Sequence, residues 1–214
     1  MKNQLIIGIS GLDSSGKKST DKILLHLQNT YLLDTIDYNY KPLKPFNLIT
    51  KLKYKTKNYQ SELAQNLQTY INQLPYPPNV VAHRFGCLLV IKALLLGAKF
   101  NNIFLFSPAV ESDEIINITG VTNNVYIIYH PNDLILKIAK LLKFYDFGDM
   151  GTRGYDYPGD TIKNVRYSQK EDVTLCEHFK ELFTFNHSAY FLDHNISHWS
   201  QFIFTKINNS TTKL

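Results

Sequence analysis

Residues 79–87, with the sequence NVVAHRFGC, decide the fold prediction. A short apolar run ends next to Arg84 and Gly86, and residues 88–94 that follow, apolar except for Lys92, have the length and character of a helix. A strand that turns directly into a helix lifts one side chain above the edge of the sheet. It also points the first helical N–H groups towards whatever binds there. The stretch therefore predicts a ligand-facing turn with Arg84 at its apex.

Length and composition indicate one globular domain over residues 1–214. The chain is 44% hydrophobic and 19% charged, which is ordinary for a soluble protein. No apolar run approaches the ~20 residues of a membrane span, and the first residues lack the pattern of a signal peptide. Cys87 and Cys176 form neither a disulfide framework nor a metal-binding spacing. We expect a cytoplasmic protein without a membrane span, a metal or a cofactor.

The net charge of +5 comes from one segment. Six lysines lie between Lys41 and Lys57, and without them the rest of the chain would carry a net charge of −1 (5 minus 6). We predict a lysine-rich, solvated excursion over residues 41–58. It could meet an anionic partner, but it contains no arginine, so nucleic acid is not the expected partner.

Apolar runs suited to buried strands alternate with helical patterns along the chain. The runs are 5–9, 31–36, 79–85, 102–106, 125–129 and 164–167, and the closing helical repeat covers 192–207. Residues 146–162 lack periodicity and are predicted to be mainly a long surface loop. The alternation predicts a mostly parallel sheet with helices on both faces, a three-layer α/β/α sandwich. Ligands of such sheets bind at the carboxyl ends of the strands.

The loop after the first strand has two interpretations. Residues 11–17 have the spacing Gly-x4-Gly-Lys of a phosphate-binding P-loop, which would make the chain a kinase-like nucleotide-binding protein. The next position should supply a hydroxyl for a magnesium ion, yet it is Lys18, and Ser19 comes one residue late. Alternatively, Gly11 and the backbone N–H of Leu12 form part of an oxyanion hole, which stabilises negative charge on a reacting oxygen.

The turn at Arg84 matches the small-x-Ser-x-Gly pattern of a nucleophile elbow, except that arginine replaces the serine. Asp133 directly follows the predicted strand 125–129. Together with the strand order, these features resemble the α/β-hydrolase superfamily of serine esterases and lipases over nearly the whole chain. The resemblance implies an α/β-hydrolase fold without a large lid domain, with Asp133 as the acid of a catalytic triad. It also implies that His83 and the N–H of Phe85 lie at the site.

The resemblance leaves two candidates for the triad histidine. His187 lies immediately before the closing helix, where a loop would carry it above the sheet. His198 lies within the helical repeat, where it would reach the site only if the helix began later. The first placement agrees better with a histidine that bridges nucleophile and acid.

Arg84 decides which functions this scaffold can carry. A guanidinium only donates hydrogen bonds and stays charged, so it cannot act as the nucleophile of acyl transfer. The preferred hypothesis is an inactive or binding-type pseudo-hydrolase that takes a small ester or a ligand bearing a carboxylate or phosphate. The alternative is an active carboxylic-ester hydrolase that uses another nucleophile, or a variant copy of such an enzyme. Cys87 is a poor substitute because it should point into the packing.

Overall fold

A sheet of six parallel strands forms the centre of the computed structural model, which describes residues 4–11, 20–40, 56–133, 148–167 and 189–211. The strands are β1 (Ile6–Ile9), β2 (Thr35–Asp37), β3 (Asn79–His83), β4 (Ile103–Phe106), β5 (Val125–Tyr129) and β6 (Ile162–Arg166). The helices are α1 (Asp21–Tyr31), α2 (Lys57–Asn72), α3 (Phe85–Leu95), α4 (Met150–Arg153) and α5 (Asp193–Thr211). Short 3₁₀ turns cover Ile118–Gly120 and Ala189–Phe191.

The strand order is β2-β1-β3-β4-β5-β6, and every neighbouring pair is parallel. This confirms the predicted parallel sheet. Val81, in the middle of β3, is in register with Gly8 of β1 and Phe104 of β4. Because all strands run the same way, the residues after β1, β3, β4 and β5 meet along one edge of the sheet.

Two hydrophobic clusters lie on opposite faces of the sheet, because successive strand residues point in opposite directions. On one face, helices α2 and α3 contribute Leu63, Leu67, Ile71, Leu89 and Val90 against the strand residues Ile7, Ile9, Val80, Leu105 and Ile127. On the other face, helices α1 and α5 contribute Ile23, Leu24, Leu27, Trp199, Ile203 and Ile207 against Ile6, Val81, Phe104, Phe106 and Ile128. The three-layer α/β/α arrangement is therefore confirmed.

Two local predictions need correction. Residues 31–34 were expected to begin the second strand, but helix α1 continues to Tyr31 and β2 starts at Thr35. Leu32, with φ 55°, ends the helix in the left-handed conformation, so local backbone geometry separates the two elements.

The predicted surface loop at 146–162 is the second correction. Its described part contains helix α4, and Met150 is fully buried. Backbone N–H groups of Met150 and Gly151 donate to the carbonyls of Val110 and Pro108. Tertiary contacts of this kind hold a segment without periodicity against the rest of the domain. They cannot be predicted from the hydrophobic pattern of the sequence. The lysine-rich segment, apart from residues 56–58, lies outside the described residues.

Candidate active site

The junction between β3 and α3 is a sharp turn centred on Arg84. The strand ends at His83 and the helix begins at Phe85, so one residue makes the whole connection. Arg84 has φ 53° and ψ −117°, a backbone conformation that L-residues rarely adopt. Its N–H donates to the carbonyl of Phe106 at 3.2 Å, and its carbonyl accepts from the N–H of Cys87 at 3.0 Å. The predicted strand–turn–helix with Arg84 at the apex is thus present.

Gly86 allows the start of α3 to lie directly against β1. A Cβ atom on this residue would lie 2.2 Å from the carbonyl oxygen of Ile9 and 3.0 Å from its carbonyl carbon. Real Cβ atoms do not approach backbone this closely. Gly86, the glycine of the elbow pattern, is therefore required by helix–strand packing and not by a positive φ.

The loop that leaves β1 passes beside Arg84. A Cβ on Gly11 would lie 2.8 Å from the Cβ of Arg84 and 3.1 Å from the carbonyl oxygen of His83. The backbone that follows β1 therefore lies directly beside the turn at Arg84. Leu12, the predicted donor, lies outside the described residues.

Hydrogen bonds join the two ends of the loop between β1 and α1. The hydroxyls of Ser10 and Thr20 are 2.7 Å apart, and the Thr20 N–H donates to Ser10 Oγ at 3.2 Å. The Tyr40 hydroxyl donates to the Ser10 carbonyl at 2.8 Å, and its ring lies 6.1 Å from that of Phe85. Both ends of the loop are therefore held at the same edge of the sheet as the elbow.

Asp133 follows β5 and is fully buried. Its backbone N–H donates to the His130 carbonyl at 3.0 Å, which closes a tight turn after the strand. His130 stabilises the same turn, because its Nδ1 accepts the N–H of Asn132 at 3.0 Å. The carboxylate Oδ2 accepts a hydrogen bond of 2.5 Å from the hydroxyl of Ser107. An acid held in this way has one defined orientation.

Ser107 is the residue of this site to which the sequence assigned no role. It follows β4, which lies between β3 and β5 in the sheet, so it sits between Arg84 and Asp133 along the edge. With strands about 4.8 Å apart, β3 and β5 are roughly 10 Å from each other at this edge. The sequence places Ser107 directly after an apolar strand, and therefore at the carboxyl edge of the sheet. It does not indicate that the hydroxyl binds Asp133.

The histidines predicted near the site have different positions. His83 is 1% exposed, and its ring packs edge-on against Phe191 at 4.7 Å between centroids. His198 is the sixth residue of helix α5, where it is exposed and contacts the ring of Trp199. His187 lies outside the described residues. The assignment of His187 over His198 stays a prediction.

Cys87 is buried within the hydrophobic cluster formed by α2 and α3. Burial raises the pKa of its thiol well above the ordinary value of 9.0, and the S–H group donates to the Phe106 carbonyl at 3.6 Å. A thiolate is the reactive form of cysteine, and this environment disfavours it. The expectation that Cys87 points into the packing is confirmed.

Neither a metal site nor a membrane span emerges in the part of the chain that the structure describes. Within these residues, no three His, Cys, Asp or Glu side chains are grouped as ligands for an ion. Nor does any described helix combine the length and apolarity needed to cross a bilayer.

Comparison with known proteins agrees with this geometry at the level of the fold. No family model matches the sequence, and no curated protein matches it. Among solved structures, the chain is similar to a protein of unknown function from Agrobacterium tumefaciens that is provisionally assigned to the α/β hydrolases. The TM-score is 0.52 and the identity 12%, over 96% of this chain and 86% of that one. The fold is α/β-hydrolase-like.

A second solved structure, an uncharacterised protein from Capnocytophaga ochracea, is also similar in part. It has a TM-score of 0.42 at 12% identity, over 90% of this chain and 55% of the other. That likeness is too weak to support an argument. Identities this low speak to the fold alone, so the function has to be argued from the site.

Proposed function

We propose that this chain is a pseudo-hydrolase: an α/β-hydrolase scaffold that binds an anionic ligand at its elbow and does not cleave esters. In this proposal, Arg84 occupies the place of the nucleophile and faces a carboxylate or phosphate. Asp133 and His187 are the retained acid and histidine, and the N–H groups of Leu12 and Phe85 assist in binding the anion. The compartment we expect remains the cytoplasm.

The observation that carries the proposal is the backbone of Arg84. A residue with a side chain at φ 53° and ψ −117° is strained by about 1–3 kcal/mol. Strain of this kind persists only where the surrounding structure enforces it, and it is concentrated at functional sites. An elbow that had lost all function would have no reason to hold arginine in this conformation instead of glycine.

The chemistry of arginine supports binding over catalysis. Its five N–H groups are fixed in a planar fork that matches the two oxygens of a carboxylate or phosphate. The loop backbone at Gly11 lies against the Cβ and Cδ of Arg84, so the stem of the side chain is confined. A confined, permanently charged donor at the carboxyl edge of a parallel sheet is suited to an anion.

We expect the Arg84→Ser variant to gain ester hydrolysis. With the serine restored at the apex, a fluorophosphonate probe should label the variant, and p-nitrophenyl butyrate should be cleaved about 100-fold faster than by the native chain. Arg84→Ala is the matched control, since it removes the guanidinium without supplying a nucleophile. Adding His187→Ala to Arg84→Ser should abolish the gain.

Two outcomes would contradict the proposal. Labelling of the native chain by the probe would show that a different nucleophile is active. An Arg84→Ser variant that has the same melting temperature as the native chain but is not labelled by the probe would show that the acid and histidine are not arranged as a triad.

We expect Arg84 to dominate the affinity for a small carboxylate. A charge-assisted hydrogen bond contributes about 1.5–3 kcal/mol, so Arg84→Gln should weaken butyrate binding by about 10- to 100-fold in isothermal titration calorimetry. Lys99→Gln is the matched control, because it removes the same charge from an exposed position before β4, at the opposite edge of the sheet. Equal affinity in the native chain and Arg84→Gln would argue against an anion site at the elbow.

A further inference from the structure

Strands β3 and β4 are each followed directly by a residue with a positive φ. Ser107 has φ 46°, and Arg84 has φ 53° at the end of the neighbouring strand. Among the described residues with a side chain, Leu32 at the end of α1 is the one other case. Two of three such residues therefore lie side by side at the candidate site. Glycine would adopt φ 46° without strain, so the presence of serine calls for a reason.

The hydroxyl of Ser107 supplies that reason. It donates to Oδ2 of Asp133 at 2.5 Å, the short end of the range for a hydroxyl bound to a carboxylate. Both residues are fully buried, so water does not compete for this bond. The Ser107 N–H also donates to the Ile128 carbonyl at 2.9 Å, which anchors the serine to the strand that carries Asp133.

Tyr190, in the 3₁₀ turn before α5, lies near the Ser107–Asp133 pair. It is fully buried, and in the described part of the chain its hydroxyl makes no hydrogen bond of regular geometry. Burial raises the pKa of this hydroxyl well above 10.0, the nearby charge of Asp133 raises it further, and the side chain of Ser107 acts in the opposite direction. The phenol is thus kept neutral beside the Ser107–Asp133 pair.

We propose that Ser107 is a positioning residue: its hydroxyl fixes the Asp133 carboxylate in the orientation that the triad histidine requires. The inference rests on the proposed function, in which Asp133 is the retained acid. Ser107 acts through Asp133 and does not touch the ligand. Its strained backbone is the consequence of directing the hydroxyl across from β4 to the acid after β5.

The test uses two substitutions that separate the hydroxyl from the backbone strain. Ser107→Ala removes the hydroxyl and keeps a side chain at positive φ, whereas Ser107→Gly removes the hydroxyl and relieves the strain. If only the backbone mattered, Ser107→Gly would behave like the parent protein or better. If the hydroxyl positions Asp133, both variants lose the same function.

In the Arg84→Ser background, both substitutions should lower kcat for p-nitrophenyl butyrate by about 10-fold, with little change in KM. The acidic limb of the kcat/KM profile should also move to lower pH, because a displaced carboxylate no longer raises the pKa of the histidine. A loss of folded enzyme would reduce the fraction labelled by the fluorophosphonate probe but would leave that limb in place. An unchanged kcat and an unchanged limb would overturn the inference.

A second measurement applies even if Arg84→Ser is inactive, which would count against the proposed function and not against the contact. In the native chain, Ser107→Ala, Asp133→Asn and the double variant are unfolded in urea. If the two side chains are coupled, the double variant's midpoint falls by less than the sum of the two single losses. Additive losses would overturn the inference.

Discussion

The Gly86→Ala variant is expected to lose at least about 3 kcal/mol of unfolding free energy or to fail to fold. The added Cβ would lie 2.2 Å from the Ile9 carbonyl oxygen, and the backbone fixes the positions of both atoms. Ile9 is paired with Ala82 inside the sheet, so it cannot retreat without breaking the β1–β3 ladder. Moving α3 away instead would separate the elbow from the loop after β1. Both routes lose packing that a rotamer change cannot restore.

Urea unfolding and calorimetry can measure this effect against a matched control. For a chain of this length the melting temperature should fall by about 10 °C, since each kcal/mol corresponds to ~2–4 °C. Gly159→Ala makes the same chemical change where no atom lies within 4 Å of the new Cβ, so its stability should change by less than about 1 kcal/mol. Equal melting temperatures for the two variants would mean that α3 does not pack against β1 as described.

Trp199→Ala is expected to destabilise the protein by about 3–5 kcal/mol. The indole is 2% exposed and joins α5 to the sheet, with ring centroids 5.3 Å from Phe106 and 5.8 Å from Tyr190. Removing it leaves a large cavity behind the end of β4, and those neighbours cannot fill it without leaving their own packing. Phe106 immediately precedes Ser107, so the cavity would also loosen the support of the Ser107–Asp133 pair.

Two comparison variants separate packing from polar effects at this position. In the described part of the chain the indole N–H makes no hydrogen bond, so Trp199→Phe should lose less than half as much stability as Trp199→Ala. Tyr76→Ala removes an aromatic ring that is 71% exposed and should change the unfolding free energy by less than about 0.5 kcal/mol. A Trp199→Ala loss as small as that of Tyr76→Ala would contradict the docking of α5.

Much of the fold could be predicted because its determinants are local. The buried run at 5–9 predicts β1, and the repeat at 192–207 predicts the helix observed as Asp193–Thr211. The elbow belongs to the same class, since an apolar strand, Arg84, Gly86 and an apolar helix are contiguous in the chain. Periodicity and turn chemistry act over a few residues, so a single sequence contains them in full.

The candidate site could be predicted only in part, because its contacts join residues that are distant in the chain. Local patterns predict the parallel sheet, the position of Arg84 and the place of Asp133 after β5. The bond between Ser107 and Asp133 could not be predicted in this way, because it connects residues 26 positions apart whose strands must first become neighbours. Nor does any local pattern indicate that the backbone of Met150 and Gly151 binds the carbonyls of Val110 and Pro108. Local patterns determine which elements form, whereas the pairing of the elements determines which side chains meet.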